Sequence, residues 1–324
     1  MTKISKGDIS VEITGELGNQ MFEVAAGYAL ARQNEVNLKL KFIDIPSRLN
    51  NFTLSEEIYE EIDANNIVRK RTRTKHYASR EFFFNFVHAN KHLLGIVKKM
   101  RKKSNKKIKE KNMEDRYHEK IPHFFDPKFG TLSSPVTIRG YFQSSKYFLD
   151  YSEEVKNLFV LKNPSEQLID FADRFKSDFT GIHIRRGNSG AAKLHKNFHG
   201  LLPLDYYVRA TNFLQDLGAL KRILVFTDNE IETKNFLRNF PYDYEAIISS
   251  NEIKDQSENL IAMSRSYSFI GANSSYSWWA AYLNKSDKLK AIFPATWYKE
   301  PGFPCQQMLE DKWIALPISD FHNE

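Results

Sequence analysis

The sequence predicts an α/β protein whose second half is built on a parallel sheet, and three observations lead there. Short apolar runs at 179–184, 223–226, 267–270 and 291–293 have the length and composition of buried strands. Each run stops at small or polar residues: Arg185-Arg186-Gly187, Thr227-Asp228-Asn229, Gly271-Ala272-Asn273-Ser274-Ser275, and Pro294. Helical patterns then follow at Ile231 and Phe236 and over 276–283, so strand, loop and helix alternate as in sheets that hold ligands at their carboxyl edge.

The first element is a strand in which Ile9, Val11 and Ile13 alternate with polar residues before the turn Gly15-Glu16-Leu17-Gly18-Asn19-Gln20. Met21, Phe22, Ala25, Ala29 and Leu30 then recur at helical spacing, and 38–42 reads as the next strand. Gly15 and Gly18 allow a ligand close to the backbone, with the N–H groups of the helix start facing it. The pair lacks the third glycine of a dinucleotide fingerprint and the lysine of a phosphate loop, so a plain βα turn is the competing reading.

Arg185 and Arg186 end a strand with two permanently charged planar forks, which suit a pair of phosphates better than ammonium groups do. Surface ion pairing is the competing reading. His183 lies two residues before Arg185 and therefore on the same strand face. Asn273, Ser274 and Ser275 are residue types that cap helices, and capping alone accounts for their presence before 276–283.

Composition limits the alternatives. The chain has 324 residues, 41% hydrophobic, enough for two domains of about 150 residues each. A single cysteine, Cys305, allows no internal disulfide and suits a reducing compartment. No run of about 18 apolar residues occurs and 1–10 has no apolar signal core, so the expected location is cytoplasmic. The net charge of +7 is local: residues 91–111 carry ten Lys or Arg and one Glu, a balance of +9, which leaves −2 elsewhere. His92, Leu93, Leu94, Ile96, Val97 and Met100 give that segment an apolar side, and a helix on an anionic membrane surface and a solvated loop both fit it. Nucleic acid is not expected, because the aromatics at 82–86 are clustered rather than interleaved with the charges.

Five motifs, in order, resemble the bacterial α-1,2-fucosyltransferases of glycosyltransferase family 11. They are the turn Gly15-x-Leu17-Gly18-Asn19-Gln20-Met21-Phe22, then Gly140-Tyr141-Phe142-Gln143-Ser144-x-Lys146-Tyr147-Phe148, then His183-Ile184-Arg185-Arg186-Gly187, then Leu204-Asp205-Tyr206-Tyr207, and finally Asn273-Ser274-Ser275-Tyr276-Ser277-Trp278-Trp279-Ala280. The resemblance spans about 9 to 297 and is weak over roughly 45–135. It implies a GT-B fold, two Rossmann-like domains facing across a cleft: residues 1–160 on the acceptor side, with the basic insertion 91–111, and 161–324 binding the GDP-sugar. The implied reaction moves L-fucose from GDP-L-fucose to the 2-hydroxyl of a terminal galactose, in a glycan such as an O-antigen, lipid-linked or free, with inversion and without a metal or other cofactor; a transferase for another GDP-sugar on the same fold and a non-catalytic polysaccharide-binding or assembly protein are the alternatives.

Carried over residue by residue, Arg185 and Arg186 would clamp the diphosphate beside His183. Asp228, Asn273, Ser274 and Ser275 would complete the nucleotide pocket, and Gly18, Asn19 and Gln20 would close over the donor from the first domain. Asn188 and Asn229 stand where the family usually has Asp, so neither is a base. The base is thereby left open: Glu16 and Glu23 are the carboxylates in the right region, with a structural or solvated role as the competing reading for each, and a loose transition state would let the departing phosphate take the proton; Glu23 is the carboxylate carried forward as the catalytic candidate. The nearest approach to a metal-binding D-x-D is Asp243-Tyr244-Glu245, expected in a turn after Pro241.

Overall fold

A computed structural model describes residues 7–43, 45–54, 58–60, 115–121, 123–187, 199–299 and 307–318. The basic segment 91–111 and Asn188 lie outside the described residues. The described chain divides into two units: residues up to Phe159 form the first, and Val160 onward, with Asn51–Thr53, the second. No described helix is long and apolar enough to cross a membrane.

The first unit holds β1 (Ile9–Ile13), α1 (Leu17–Asn34), β2 (Leu38–Phe42), β3 (Ile58–Glu60), β4 (Asp115–His118), β5 (Val136–Arg139) and α2 (Ser152–Leu158). Its strands are all parallel, in the order β3-β2-β1-β5-β4. Ile9, Val11, Ile13, Leu38, Leu40 and Ile138 are fully buried, while Glu12 and Arg139 form an ion pair at 3.3 Å, so the period-two alternation sorts an apolar face from a polar one. Gly27 lets α1 lie close to the apolar face: a Cβ there would stand 2.9 Å from Leu38 and 3.3 Å from Val11. α1 stops at Glu35, whose left-handed φ of 57° closes the last turn.

The second unit continues with α3 (Glu166–Phe175), β6 (Phe179–Ile184), α4 (Leu204–Asp216), β7 (Arg222–Thr227), α5 (Glu230–Phe236), β8 (Ala246–Ile248), α6 (Gln256–Met263), β9 (Ser268–Ile270), α7 (Ser275–Tyr282), β10 (Lys290–Pro294) and β11 (Ile314–Leu316). The six strands are parallel in the order β11-β10-β9-β6-β7-β8. The chain thus runs outward from β6 to β8, returns to β9 and runs outward the other way, the doubly wound Rossmann order with its reversal between β6 and β9. One face packs Ile182, Ile184 and Val225 against Tyr206, Tyr207 and Leu214 of α4. On the other, Phe171 and Phe175 of α3 meet Phe179 at ring distances of 5.7 and 6.1 Å. Both units are α/β and Rossmann-like, the architecture a GT-B chain supplies twice.

Candidate functional site

In the second unit the loops after β6, β7 and β9 come together at the carboxyl edge, beside the strand-order reversal. The strand period then decides where each residue points. Phe179 and His183 face α3 and α7, whereas Ile182 and Ile184 face α4. His183 is buried, and its Nδ1 is hydrogen-bonded to Ser277 Oγ, which also accepts the Ala272 N–H at 3.1 Å. Burial lowers the His183 pKa to about 4, with the Arg185 charge acting in the same direction and Asp228 opposing. The imidazole is therefore neutral at neutral pH.

Arg185 and Arg186 part company for the same reason. Arg186 is 4% exposed; its guanidinium lies 3.5 Å over the Phe236 ring of α5 and donates from Nη2 to the Leu202 carbonyl at 2.8 Å. Arg186 is thus engaged inside the unit, and Arg185 is the fork on the His183 face. Arg185 continues the His183 face and is half-buried, and among the described residues its guanidinium has neither a hydrogen bond nor an ion pair. A partly desolvated guanidinium without a partner is a group built for an anion from outside.

The loop is fixed from below. Asp228 accepts the Arg186 backbone N–H at 2.7 Å, and a Cβ at Gly187 would stand 2.5 Å from its Oδ2, so the carboxylate occupies the space glycine leaves. Asp228 thus shapes the arginine loop. Tyr207 donates to the His183 carbonyl at 3.2 Å, and Tyr206 to the Gly271 carbonyl at 2.7 Å, tying α4 to two of the strand ends. Ser274 caps α7, accepting from the Tyr276 N–H at 3.3 Å, and Ser275 opens that helix, whose amino end carries partial positive charge at the sheet edge. Asn273 departs from expectation. Its buried amide donates to the carbonyls of His199 at 2.9 Å and Trp297 at 3.0 Å, holding two chain segments together rather than facing a nucleotide. Asp243-Tyr244-Glu245 is remote from this edge: Glu245 binds the Ile223 carbonyl through its N–H and pairs with Arg222 at 3.5 Å, both at the amino end of β7.

In the first unit the turn after β1 is as predicted, but its polar residues look inward. Gly15 has a φ of +69° and packs on Asn19, to which a Cβ would approach within 2.5 Å. Gln20 is fully buried, donating to the carbonyls of Gly15 and Pro46, each at 3.1 Å, and accepting from the Arg48 N–H at 2.9 Å; its amide is spent on the turn. Glu23 is fully buried with its two oxygens accepting from the Thr14 N–H at 2.8 Å and hydroxyl at 2.5 Å. A catalytic base must reach an incoming hydroxyl, so Glu23 is an anchor between β1 and α1 instead. Glu16 is exposed and paired with Arg48 at 2.7 Å. Gly18 is buried at the start of α1, and Asn19 accepts from Gln143 Nε2 at 2.7 Å. Sequence reasoning missed Glu119, a carboxyl group at the carboxyl edge of this sheet that burial pushes up to about 7 against three hydrogen bonds; it lies in the stretch where the resemblance is weak.

A doubly wound sheet with an unpaired guanidinium among the described residues, a buried neutral histidine and a helix start at its reversal point defines a Rossmann-type unit. The chain belongs to glycosyl transferase family 11, whose model matches residues 8–316, and it is accordingly a glycosyltransferase. It is similar to the O-antigen biosynthesis glycosyltransferase WbnK of Escherichia coli, 26% identical with 94% of this chain and 99% of that protein covered. It is also similar to an alpha-1,2-colitosyltransferase of Escherichia coli, 26% identical with 95% and 98% covered. A solved glycosyl transferase family 9 structure from Veillonella parvula matches with a TM-score of 0.49 at 11% identity, covering 99% of this chain and 90% of that one.

Proposed function

We propose that the protein transfers L-fucose from GDP-L-fucose to the 2-hydroxyl of a terminal galactose in an O-antigen or other surface glycan, inverting the anomeric centre. The observation that carries this is Arg185, unpaired among the described residues at the β6–β9 reversal of a family 11 chain. Breaking the bond between the sugar's anomeric carbon and the diphosphate leaves negative charge on the nucleotide. Stabilising that charge is the role this reading gives to the Arg185 guanidinium and the amino end of α7, the role a metal plays in other transferases. Neutral His183 adds hydrogen bonding without competing for the proton. The name of the relative WbnK supports an O-antigen acceptor, and GDP as carrier follows from the family resemblance.

A second reading concerns the sugar. The similarity to an alpha-1,2-colitosyltransferase favours a deoxy relative of fucose on the same carrier, and colitose differs from L-fucose by one absent hydroxyl. A site that hydrogen-bonds that hydroxyl discriminates by orders of magnitude, so the two readings separate cleanly. The test is incubation with GDP-L-fucose or GDP-colitose, galactose-terminated acceptors and EDTA, followed by linkage mapping. An α-1,2-linked fucosyl product formed in chelator supports the proposal. A colitosyl product alone selects the second reading, and loss of transfer in chelator contradicts metal independence.

A further inference from the structure

Glu119 follows β4 directly, and its N–H extends the ladder to the Arg139 carbonyl at 2.9 Å, which places its side chain beside the loop that leaves β5. The residue is partly exposed, but its carboxyl group is enclosed by that loop. Oε2 accepts the N–H groups of both Tyr141, at 2.9 Å, and Phe142, at 3.1 Å, and Oε1 accepts the Tyr147 hydroxyl at 3.3 Å. Gly140 is required for this fit: a Cβ there would stand 2.8 Å from Oε2 and 2.3 Å from the Glu119 Cβ. Phe142 has a φ of +49°, a conformation a bulky residue keeps only when its surroundings impose it. Here its ring is locked against Phe129 and Tyr147, at 5.3 and 5.2 Å, and its N–H is held by Glu119.

The consequence of the turn is Gln143. It donates to Asn19 at 2.7 Å, joining the loop after β5 to the glycine turn after β1. Those two strands are neighbours at the centre of the first unit's sheet, where the strand order reverses, and parallel sheets take ligands at such a point. A single carboxyl oxygen therefore sets the course of one loop and, through Gln143, the attachment of the other. The groups around the carboxyl are Tyr147 and Tyr117, with Asp126 bound to Tyr117 at 3.1 Å and Lys120 at 3.9 Å from Asp126. Among the described residues the bonds to the Glu119 carboxyl come from two backbone N–H groups and a hydroxyl, so its hold on the loop is a matter of hydrogen bonding.

We propose that Glu119 is a positioning residue for the transfer reaction, its Oε2 fixing the loop 140–144 beside the turn after β1 at the carboxyl edge of the first unit's sheet, where the acceptor would dock. This rests on the transferase function proposed above. Glutamine separates the possible roles of the carboxyl group, because its amide oxygen can accept the same two N–H bonds while carrying no charge and no basicity.

The test compares Glu119→Ala and Glu119→Gln with the unaltered enzyme. In Glu119→Ala the acceptor kcat/KM should fall at least tenfold, while GDP affinity, a property of the second unit, stays within twofold. Hydrogen exchange in the peptide spanning 138–146 should accelerate at least tenfold. Glu119→Gln should return both exchange and acceptor kcat/KM to within threefold. Unchanged exchange over 138–146 in Glu119→Ala would overturn the proposal whatever the activity. So would a Glu119→Gln enzyme as inactive as Glu119→Ala, since the charge would then be what matters. An unaltered protein that transfers no sugar would refute the function while leaving the exchange result to decide Glu119.

Discussion

Replacing Arg185 and Arg186 separately by alanine should produce opposite defects, although the two are adjacent and identical in type. Arg186 is 4% exposed, stacked at 3.5 Å on Phe236 and bonded to the Leu202 carbonyl at 2.8 Å. A desolvated cation–π contact contributes about 2 kcal/mol, and a hydrogen bond from a charged group about 1.5–3 kcal/mol. Because the two share one guanidinium and do not add fully, Arg186→Ala should destabilise the fold by about 3–4 kcal/mol. Arg185 has no partner among the described residues, so Arg185→Ala removes nothing that holds the fold and should leave stability within about 0.5 kcal/mol. Its loss falls on the ligand. A desolvated charge contact costs about 2–5 kcal/mol when truncated, and partial exposure places Arg185 at the lower end, about 2–3 kcal/mol or roughly 30- to 150-fold in GDP affinity. Denaturant unfolding and titration calorimetry with GDP measure the two quantities. An Arg185→Ala protein that binds GDP within threefold of the unaltered one would refute the reasoning, as would an Arg186→Ala protein of unchanged stability.

Three further outcomes follow from the same geometry. Glu23→Gln should retain kcat within about fivefold while losing about 1–3 kcal/mol of stability, because one Thr14 donor would be left facing an amide N–H; a kcat loss above a hundredfold would restore Glu23 as the base. Gly187→Ala should weaken GDP binding at least tenfold by calorimetry, since its Cβ would displace the Asp228 carboxylate 2.5 Å away that holds the arginine loop. The third concerns pH: His183 has a pKa near 4 when folded and an ordinary one when unfolded, so the unfolded chain binds the extra proton between those values. The contribution of His183 to stability should therefore be full above about pH 6.5 and fall by about 1.4 kcal/mol per pH unit from there to about pH 4, and comparing the profile of His183→Gln with that of the unaltered protein isolates it from the opposing titration of Glu119.

The strands of the second unit were readable because buried parallel strands are continuous apolar runs, and β6, β7, β9 and β10 all have that form. β3, β4 and β8 were not, being three or four residues long at sheet edges, with polar sequences such as Asp115–His118. The loops that build the candidate site could be located, but the direction of their side chains was only half legible. The alternation that set His183 and Arg185 on one face also sends Arg186 to the other, and reading the arginines as a pair passed over that rule. Asn273 and Gln20 fell outside it altogether. An amide serves a ligand or a backbone carbonyl equally well, and each one binds a carbonyl from a segment distant in sequence, Trp297 for Asn273 and Pro46 for Gln20. Glu119 carries no local signal at all, because its meaning comes from a loop more than twenty residues later.

The claim on which the rest depends is that the carboxyl edge between β6 and β9 receives the nucleotide diphosphate through Arg185. A crystal structure of the GDP complex tests it most directly. The account predicts diphosphate oxygens within hydrogen-bonding distance of the Arg185 guanidinium and next to the amino end of α7, with Arg186 still lying on Phe236. Diphosphate bound elsewhere, with the Arg185 side chain turned to solvent, would contradict it.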